Sequence, residues 1–337
     1  MFKVLFSRIL TTIPALIGVV VVSFLLTRVL PGDTAAYFAG PAATPQAILE
    51  VKQKLGLDRP LPEQFARYVR DLSHGDLGQS LTTGQPVLAD LKARLPASAE
   101  LTLFGLILSL VIAVPLGIVA AVKQGSFLDH ACRAIATAGV SLPVFFTGLL
   151  LVYLFYFIWQ ISPAPLGRLD VFASAPATVT GFYLVDSLIA HDGETFRSSL
   201  AQLLLPGVTL AIFALAPIAR ITRASMLAVL SMDFVRTARA AGLPSPKVIM
   251  TYAFRNAMLP VITTLGMVFS FLLGAKVLVE KVFAWPGVGS YAVEALIASD
   301  FAPVQGFVLA MAILYISLNL MIDLSYRLID PRLESTT

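Results

Sequence analysis

Residues Ser231–Pro260 read SMDFVRTARAAGLPSPKVIMTYAFRNAMLP. This basic stretch lies between two long apolar runs and carries its own helix signals. Asp233 sits where a helix N-terminus favours negative charge. Phe234, Val235 and Ala238 form an apolar strip, and Arg236 and Arg239, three apart, form a basic one. Gly242 is a natural helix stop. Pro244-Ser245-Pro246 then restarts the chain, with Ser245 as N-cap and Pro246 at the first helical position. The second helix would carry Val248, Ile249, Tyr252 and Ala253 on one face, and Leu259-Pro260 would lead into the next apolar run. Two helices of about ten residues are too short to stand alone in water. They need a surface, either the inner ends of the chain's own spans or a groove on a cytoplasmic protein. Reading DNA is the weakest use, because tethering at both ends leaves little room to enter a groove.

The surrounding chain explains the tether. Of its 337 residues 57% are hydrophobic and 13% are charged, about half the charge of a soluble domain. Six apolar runs have the roughly 20 residues that a transmembrane helix needs. They lie near Leu10–Leu30, Leu101–Val122, Ala136–Trp159, Leu200–Ile221, Leu259–Val279 and Val304–Tyr326. The first is too long for the apolar part of a signal peptide and reads as an uncleaved span. The predicted fold is therefore an all-α polytopic membrane protein with six transmembrane helices. The 24 Lys and Arg divide evenly between the two sides, but most outer ones sit in a loop of more than 60 residues, which the positive-inside rule discounts. That places both termini and the basic stretch inside.

Several function classes are disfavoured. The spans hold almost no ionisable groups; Arg28, Lys276 and Asp323 lie near span ends, where long side chains can snorkel. An ion-coupled carrier would need buried carboxylates or histidines as a relay. No histidine lies in a span, which argues against a membrane metalloprotease, and Cys132 is the single cysteine, so no catalytic or metal constellation is expected. A net charge of +4 is too small to suggest nucleic acid. There is no Gly-Lys pair and hence no P-loop. If ATP drives this protein, the ATPase is a separate chain.

The first outer loop, Pro31–Pro96, looks folded. Thr44, Pro45 and Gly56 bracket one helix. A second runs from about Pro62 to Gly75 with Phe65, Tyr68, Val69 and Leu72 on one face, which packs on the outer ends of the spans. This loop either seals the outer surface or docks a soluble partner. The second outer loop, near Gln160–Ser199, carries Asp170, Asp186, Asp192 and Glu194 and reads as solvated, as does His191.

These residues resemble a known family. The basic stretch is similar to the "EAA" coupling loop of bacterial ABC importer membrane subunits: Arg236-Thr237-Ala238 stands at its Glu-Ala-Ala, Gly242 at its glycine and Leu259-Pro260 at its Leu-Pro. The arginine and the long spacing to Leu-Pro are features of the peptide/nickel branch. Further motifs follow in order along nearly the whole chain: Pro31-Gly32-Asp33, Leu55–Pro60, Gly75-Asp76-Leu77-Gly78-Gln79-Ser80, Arg94-Leu95-Pro96, Phe283–Gly289 with Trp285-Pro286-Gly287, and Val304-Gln305-Gly306. The second outer loop looks closest to the first membrane subunit of dipeptide permeases.

The resemblance implies a type I ABC importer permease fold in a bacterial inner membrane. It implies an N-terminal helix (1–30), an extracytoplasmic loop domain (31–96), a permease core (97–327) containing the 231–260 coupling loop, and a cytoplasmic tail (328–337). It also implies three kinds of partner besides lipid: a homologous permease subunit, two cytoplasmic ATP-binding subunits carrying ATP and Mg, and an extracytoplasmic solute-binding protein. The chain itself would bind no cofactor and catalyse nothing, and would pass peptides or similar solutes. Asp233, Arg236–Arg239, Gly242, Arg255, Asn256, Leu259 and Pro260 would receive the ATPase. The other reading is a secondary transporter or channel not driven by ATP. Ser80 as a nucleophile lacks any base at an arguable spacing.

Overall fold

The computed structural model describes residues 13–25, 34–40, 43–54 and 56–329. Arg28, Pro31-Gly32-Asp33, Leu55 and the tail from 330 lie outside these, as does the side chain of Asp323. Most of the described residues are helical, and the only β feature among them is one bridge between Gln79 and Pro86. In chain order the helices are α1 (Ile13–Leu25), α2 (Thr34–Ala39), α3 (Pro45–Lys54), α4 (Leu61–Ser73), α5 (Val87–Val122), α6 (Phe127–Val140), α7 (Val144–Ile158), α8 (Tyr183–Ile189), α9 (Gly193–Leu230), α10 (Asp233–Ala240), α11 (Ser245–Val282), α12 (Val288–Ile297) and α13 (Phe301–Ile329).

Among the described residues four helices, α5, α9, α11 and the Phe301–Ile322 part of α13, are long and apolar enough to cross a membrane. The expected third span is broken: α6 and α7 meet at 100°, and Pro143 precedes α7. Proline lacks the N–H that would continue the α6 ladder and disfavours helical backbone at the residue before it. Counting that pair as one span gives five. The first of the six expected runs is described only over α1.

The chain divides into two compact units, Met1–Pro96 with Pro286–Ser317, and Ala97–Trp285 with Leu318–Thr337. In the first, Val87, Leu91, Val288 and Tyr291 form a buried core. Helix α4 packs on α1 as its face predicts: the Phe65 and Tyr68 rings lie 5.2 and 5.8 Å from Phe24, although Val69 stays exposed. Thr44 Oγ1 accepts from the Ala47 N–H at 3.3 Å, and Gly56 and Gly75 adopt positive φ just past their helices.

The second unit is built on close approach of α5 and α9. A Cβ on Gly117 would lie 2.6 Å from the Thr222 Cβ, and one on Gly105 would lie 2.8 Å from the Leu210 Cβ. Small residues at such contacts are what let helices pack where lipid supplies no hydrophobic drive. Leu101, Leu203, Leu210, Ala214, Ile218 and Leu272 fill the core between α5, α9 and α11.

The second outer segment is solvated only in part: Asp170, Glu194 and most of 171–180 are exposed, but Arg168 and Asp186 are not. Arg168 and Glu100 are both buried and 2.6 Å apart, and the Arg168 guanidinium also donates to the Gly181 carbonyl and covers the Tyr183 ring. Asp186 is fully buried and accepts from the Thr180 hydroxyl and the N–H groups of Thr180 and Gly181 at 2.7–2.9 Å. Asp192 caps α9 through the Glu194 and Thr195 N–H groups. The buried carboxylates Glu100 and Asp186 displaced water here because each found several donors, and Arg168 found two acceptors. His191 is exposed, as expected.

Burial pushes the Asp186 carboxyl up, but its Thr180, Gly181 and Val179 donors outweigh that and leave its pKa below the usual carboxylate range. The Thr195 hydroxyl and N–H lower Asp192 in the same direction. A depressed folded-state pKa stabilises above the unfolded value of about 4 and is lost as pH falls through the folded value. The 179–187 turn is therefore expected to stay protease-resistant at pH 6 and to become cleavable below pH ~4, and Asp186→Asn is expected to be cleavable there at both.

Candidate functional site

The Ser231–Pro260 stretch folds from its local signals. Asp233 is the first residue of α10 and lies 3.5 Å from the exposed Arg236 guanidinium. Helix α10 ends on Gly242 at φ +76°. The Gly242 N–H reaches the Arg239 carbonyl at 3.0 Å and the Leu243 N–H reaches the Ala238 carbonyl at 3.3 Å. This is the two-bond turn that glycine permits and a β-branched residue strains.

Val235 and Ala238 are buried, with Ala121 of α5, Met226 and Val229 of α9, and Val248, Ala253 and Ala257 of α11. Thus the α10 face rests on the ends of the chain's own spans. Arg236, Thr237 and Arg239 face outward and exposed, and so does Phe234, which the sequence had placed in the apolar strip. With only eight residues, α10 can bury a stripe of two, and Phe234 falls beside it.

The second helix differs from expectation. Pro244 is its N-cap and Ser245 makes no side-chain cap bond. The helix does not stop near Pro260 but continues as one rod to Val282. A wide π turn over Val248–Phe254 accommodates Tyr252 and Ala253 against the core, and Pro260 lies inside the rod. Proline removes the donor for the carbonyl four residues back. That carbonyl belongs to Asn256; the Thr264 hydroxyl donates separately, to the carbonyl of Pro260 itself at 2.9 Å. Arg255 and Asn256 are exposed on the rod, and Asn256 Nδ2 donates to the Tyr252 carbonyl at 2.6 Å. The structure thus brings α10 and the start of α11 into one apolar cluster, while Leu259 and Pro260 lie higher on the rod.

The outer motif residues separate. Gly75, Asp76, Gly78 and Ser80 form one turn, in which Asp76 Oδ1 accepts from the Gly78 N–H at 2.8 Å. The Ser80 hydroxyl, the Leu81 and Thr82 N–H groups and the Thr82 hydroxyl all donate to one oxygen of buried Asp300 at 2.8–3.1 Å. Ser80 is a structural donor rather than a nucleophile. In the other unit, the buried Trp285 indole donates to the Ala97 carbonyl at 2.9 Å. Gly287 is the N-cap of α12 and Pro286 precedes it.

Three charged groups were missed or misplaced. Lys276 is 1% exposed and does not snorkel; it lies one turn from Glu280, itself fully buried, on the face packed into the core. Glu280 accepts from the Ser98 hydroxyl at 2.5 Å. Asp129 of α6, 1% exposed, takes a two-pronged bond from Arg223 of α9 at 2.7 and 2.8 Å. These partners stand 94 and 182 residues apart, so no spacing rule finds them. Among the described residues no group of three His, Cys, Asp or Glu could hold a metal.

Residues 113–335 match the family described as "Binding-protein-dependent transport system inner membrane component", and residues 1–102 match the corresponding N-terminal family. The chain belongs to this family. It is a multi-pass inner-membrane permease subunit, the non-catalytic part of an ABC importer. The permease is 46% identical over 316 residues to the probable D,D-dipeptide transport system permease protein DdpB of Escherichia coli K12, covering 94% of this chain and 93% of that one. It is 37% identical over 337 residues to the dipeptide transport system permease protein DppB of the same strain, covering 99% of each. It is 38% identical over 335 residues to the di/tripeptide permease DppB of Pseudomonas aeruginosa UCBPP-PA14, covering 99% of each.

Replacing Val235 by Asp places an unpaired charge in the cluster that holds α10, at a cost of roughly 3 kcal/mol or more. The expected outcome is release of α10 from the span ends. Limited trypsin digestion of the purified permease then cuts at Arg236 and Arg239 at least about tenfold faster than in the parent, since 1.4 kcal/mol is tenfold in an equilibrium.

Proposed function

We propose that this permease subunit forms half of the pathway of an ATP-driven peptide importer and receives force through α10. The observation that carries the reading is the two-sided character of α10: Val235 and Ala238 are clamped on three span ends while Arg236, Thr237 and Arg239 are exposed. A helix so held transmits displacement rather than absorbing it. In this reading Asp233, Arg236, Thr237, Arg239 and Gly242 meet one of two cytoplasmic ATP-binding subunits, which carry ATP and Mg, while Ala238, buried on the span ends, seats the helix instead. Arg255, Asn256, Leu259 and Pro260 stiffen or pass on the motion along α11.

The same reading completes six spans with α1 as the first and both termini inside. It divides the chain at 1–30, 31–96, 97–327 and 328–337, with the 231–260 loop in the core. The 31–96 segment faces an extracytoplasmic solute-binding protein, and the turn over Gly75–Ser80 and the Trp285-Pro286-Gly287 corner shape that side. A second, homologous permease subunit supplies the other half of the pathway. The names of the relatives favour dipeptides as the solute.

Gly242 provides the test. Valine at φ +76° opposes the left-handed turn by about 1–2 kcal/mol. In the reconstituted complex, Gly242→Val is expected to keep membrane insertion and ATP hydrolysis but to lower dipeptide uptake per ATP by about tenfold. Unchanged uptake per ATP would remove the coupling role. In liposomes holding this chain alone, neither ATP hydrolysis nor uptake is expected; uptake abolished by an ionophore but not by ATP depletion would favour a secondary transporter.

A further inference from the structure

A groove of about 260 Å³ opens between α5, α6 and α9, one to two turns from the cluster that holds α10. Its floor is made of small residues, Gly117, Ala120, Ala136 and Ala219, with Cys132 beside them. Its rim carries three guanidinium groups, Arg133, Arg220 and Arg223. One carboxylate faces them: Asp129 binds Arg223 on two prongs and lies 3.6 Å from Arg133. Arg220 is exposed and makes no hydrogen bond or ion pair with any described residue. Three positive charges against one negative leave the rim with an excess of two.

The flank of the groove is apolar and unpartnered. On α6, Phe127 is 85% exposed and Ile135 56%, and Leu128 is exposed beside them. On a membrane protein such a face meets acyl chains. A cationic rim above a small-residue floor, continuous with a lipid-facing surface, fits a molecule with an anionic head and a hydrocarbon body.

We propose that this groove binds an acidic phospholipid of the surrounding membrane, its phosphate held by Arg220 and Arg133 and an acyl chain laid along Cys132 and Ala136. Basic pockets between transmembrane helices are known to hold such headgroups, with each cation near the surface worth about fivefold in affinity. The Asp129–Arg223 pair fixes the groove wall, so that Arg223 serves chiefly to position it. Because α9 runs directly from Arg220 and Arg223 to Met226 and Val229 under α10, occupancy stiffens the seat of α10. The membrane composition would then tune coupling.

The chain's single cysteine provides the readout. The complete transporter is placed in nanodiscs of phosphatidylcholine containing increasing fractions of phosphatidylglycerol, and alkylation of Cys132 by the neutral reagent N-ethylmaleimide is followed by mass spectrometry of its peptide. Phosphatidylglycerol is expected to slow alkylation, and inorganic phosphate in solution is not. In Arg220→Gln, which leaves the Asp129–Arg223 pair intact, half-protection is expected at an about fivefold higher lipid fraction, and Arg220→Lys is expected to restore most of the effect. Equal protection of the parent and Arg220→Gln overturns the proposal, because the lipid then acts through surface potential alone. Protection in pure phosphatidylcholine also overturns it, assigning the groove to a partner subunit, and so does protection by a dipeptide, which assigns it to the solute.

Discussion

Hydrocarbon offers no partner to an N–H, a carbonyl or a charge, and the whole chain is arranged around that constraint. The backbone meets it by forming helices of up to 38 residues. Hydroxyls meet it by bonding back to their own helix: Thr102 to the Ser98 carbonyl, Thr209 to Leu205 and Thr222 to Ile218. Carboxylates meet it only in company. Asp129 has Arg223, Glu100 has Arg168 and the Leu184 N–H, and Asp300 has four donors from a single loop. Each such cluster sits near a helix end and ties a connecting segment to a span. The polar groups therefore do the joining, while glycines and alanines set how closely the helices lie.

The same division applies at α10. Its buried side is small and apolar and its free side is basic, so the two faces answer to different neighbours. An arginine in the position where related loops carry glutamate leaves the packing untouched, because position 236 points away from the cluster. Recognition on that face can change without disturbing the seat beneath it.

Short-range features were legible in the sequence. Asp233, Val235, Ala238 and Gly242 specify α10 and its closing turn within a dozen residues, and the folded outer helices announced themselves through Thr44, Gly56 and the Phe65–Tyr68 face. The misreadings have two causes. Leu259-Pro260 reads as the junction between a short helix and the next span, yet one continuous helix passes through it, because membrane helices tolerate an internal proline. The same residue type did mark a break at Pro143, where α6 and α7 turn by 100°. The second cause is distance along the chain: Ser80 finds Asp300 220 residues away. A lone charge at a span end reads as snorkelling or solvated until its partner is seen, which is why Lys276, Asp186 and Asp129 were misjudged or passed over.

The continuity of α11 has a mechanical consequence. At 1.5 Å per residue its 38 residues make a rod about 57 Å long, longer than the roughly 30 Å hydrocarbon layer is thick. A rod of that length, seized at one end by α10 and braced midway by the α9 packing, behaves as a lever about a fulcrum. Under the proposed coupling role, an inward swing of the seized end would carry the far end outward, and opening on one side of the membrane and closing on the other would be the two ends of a single stroke.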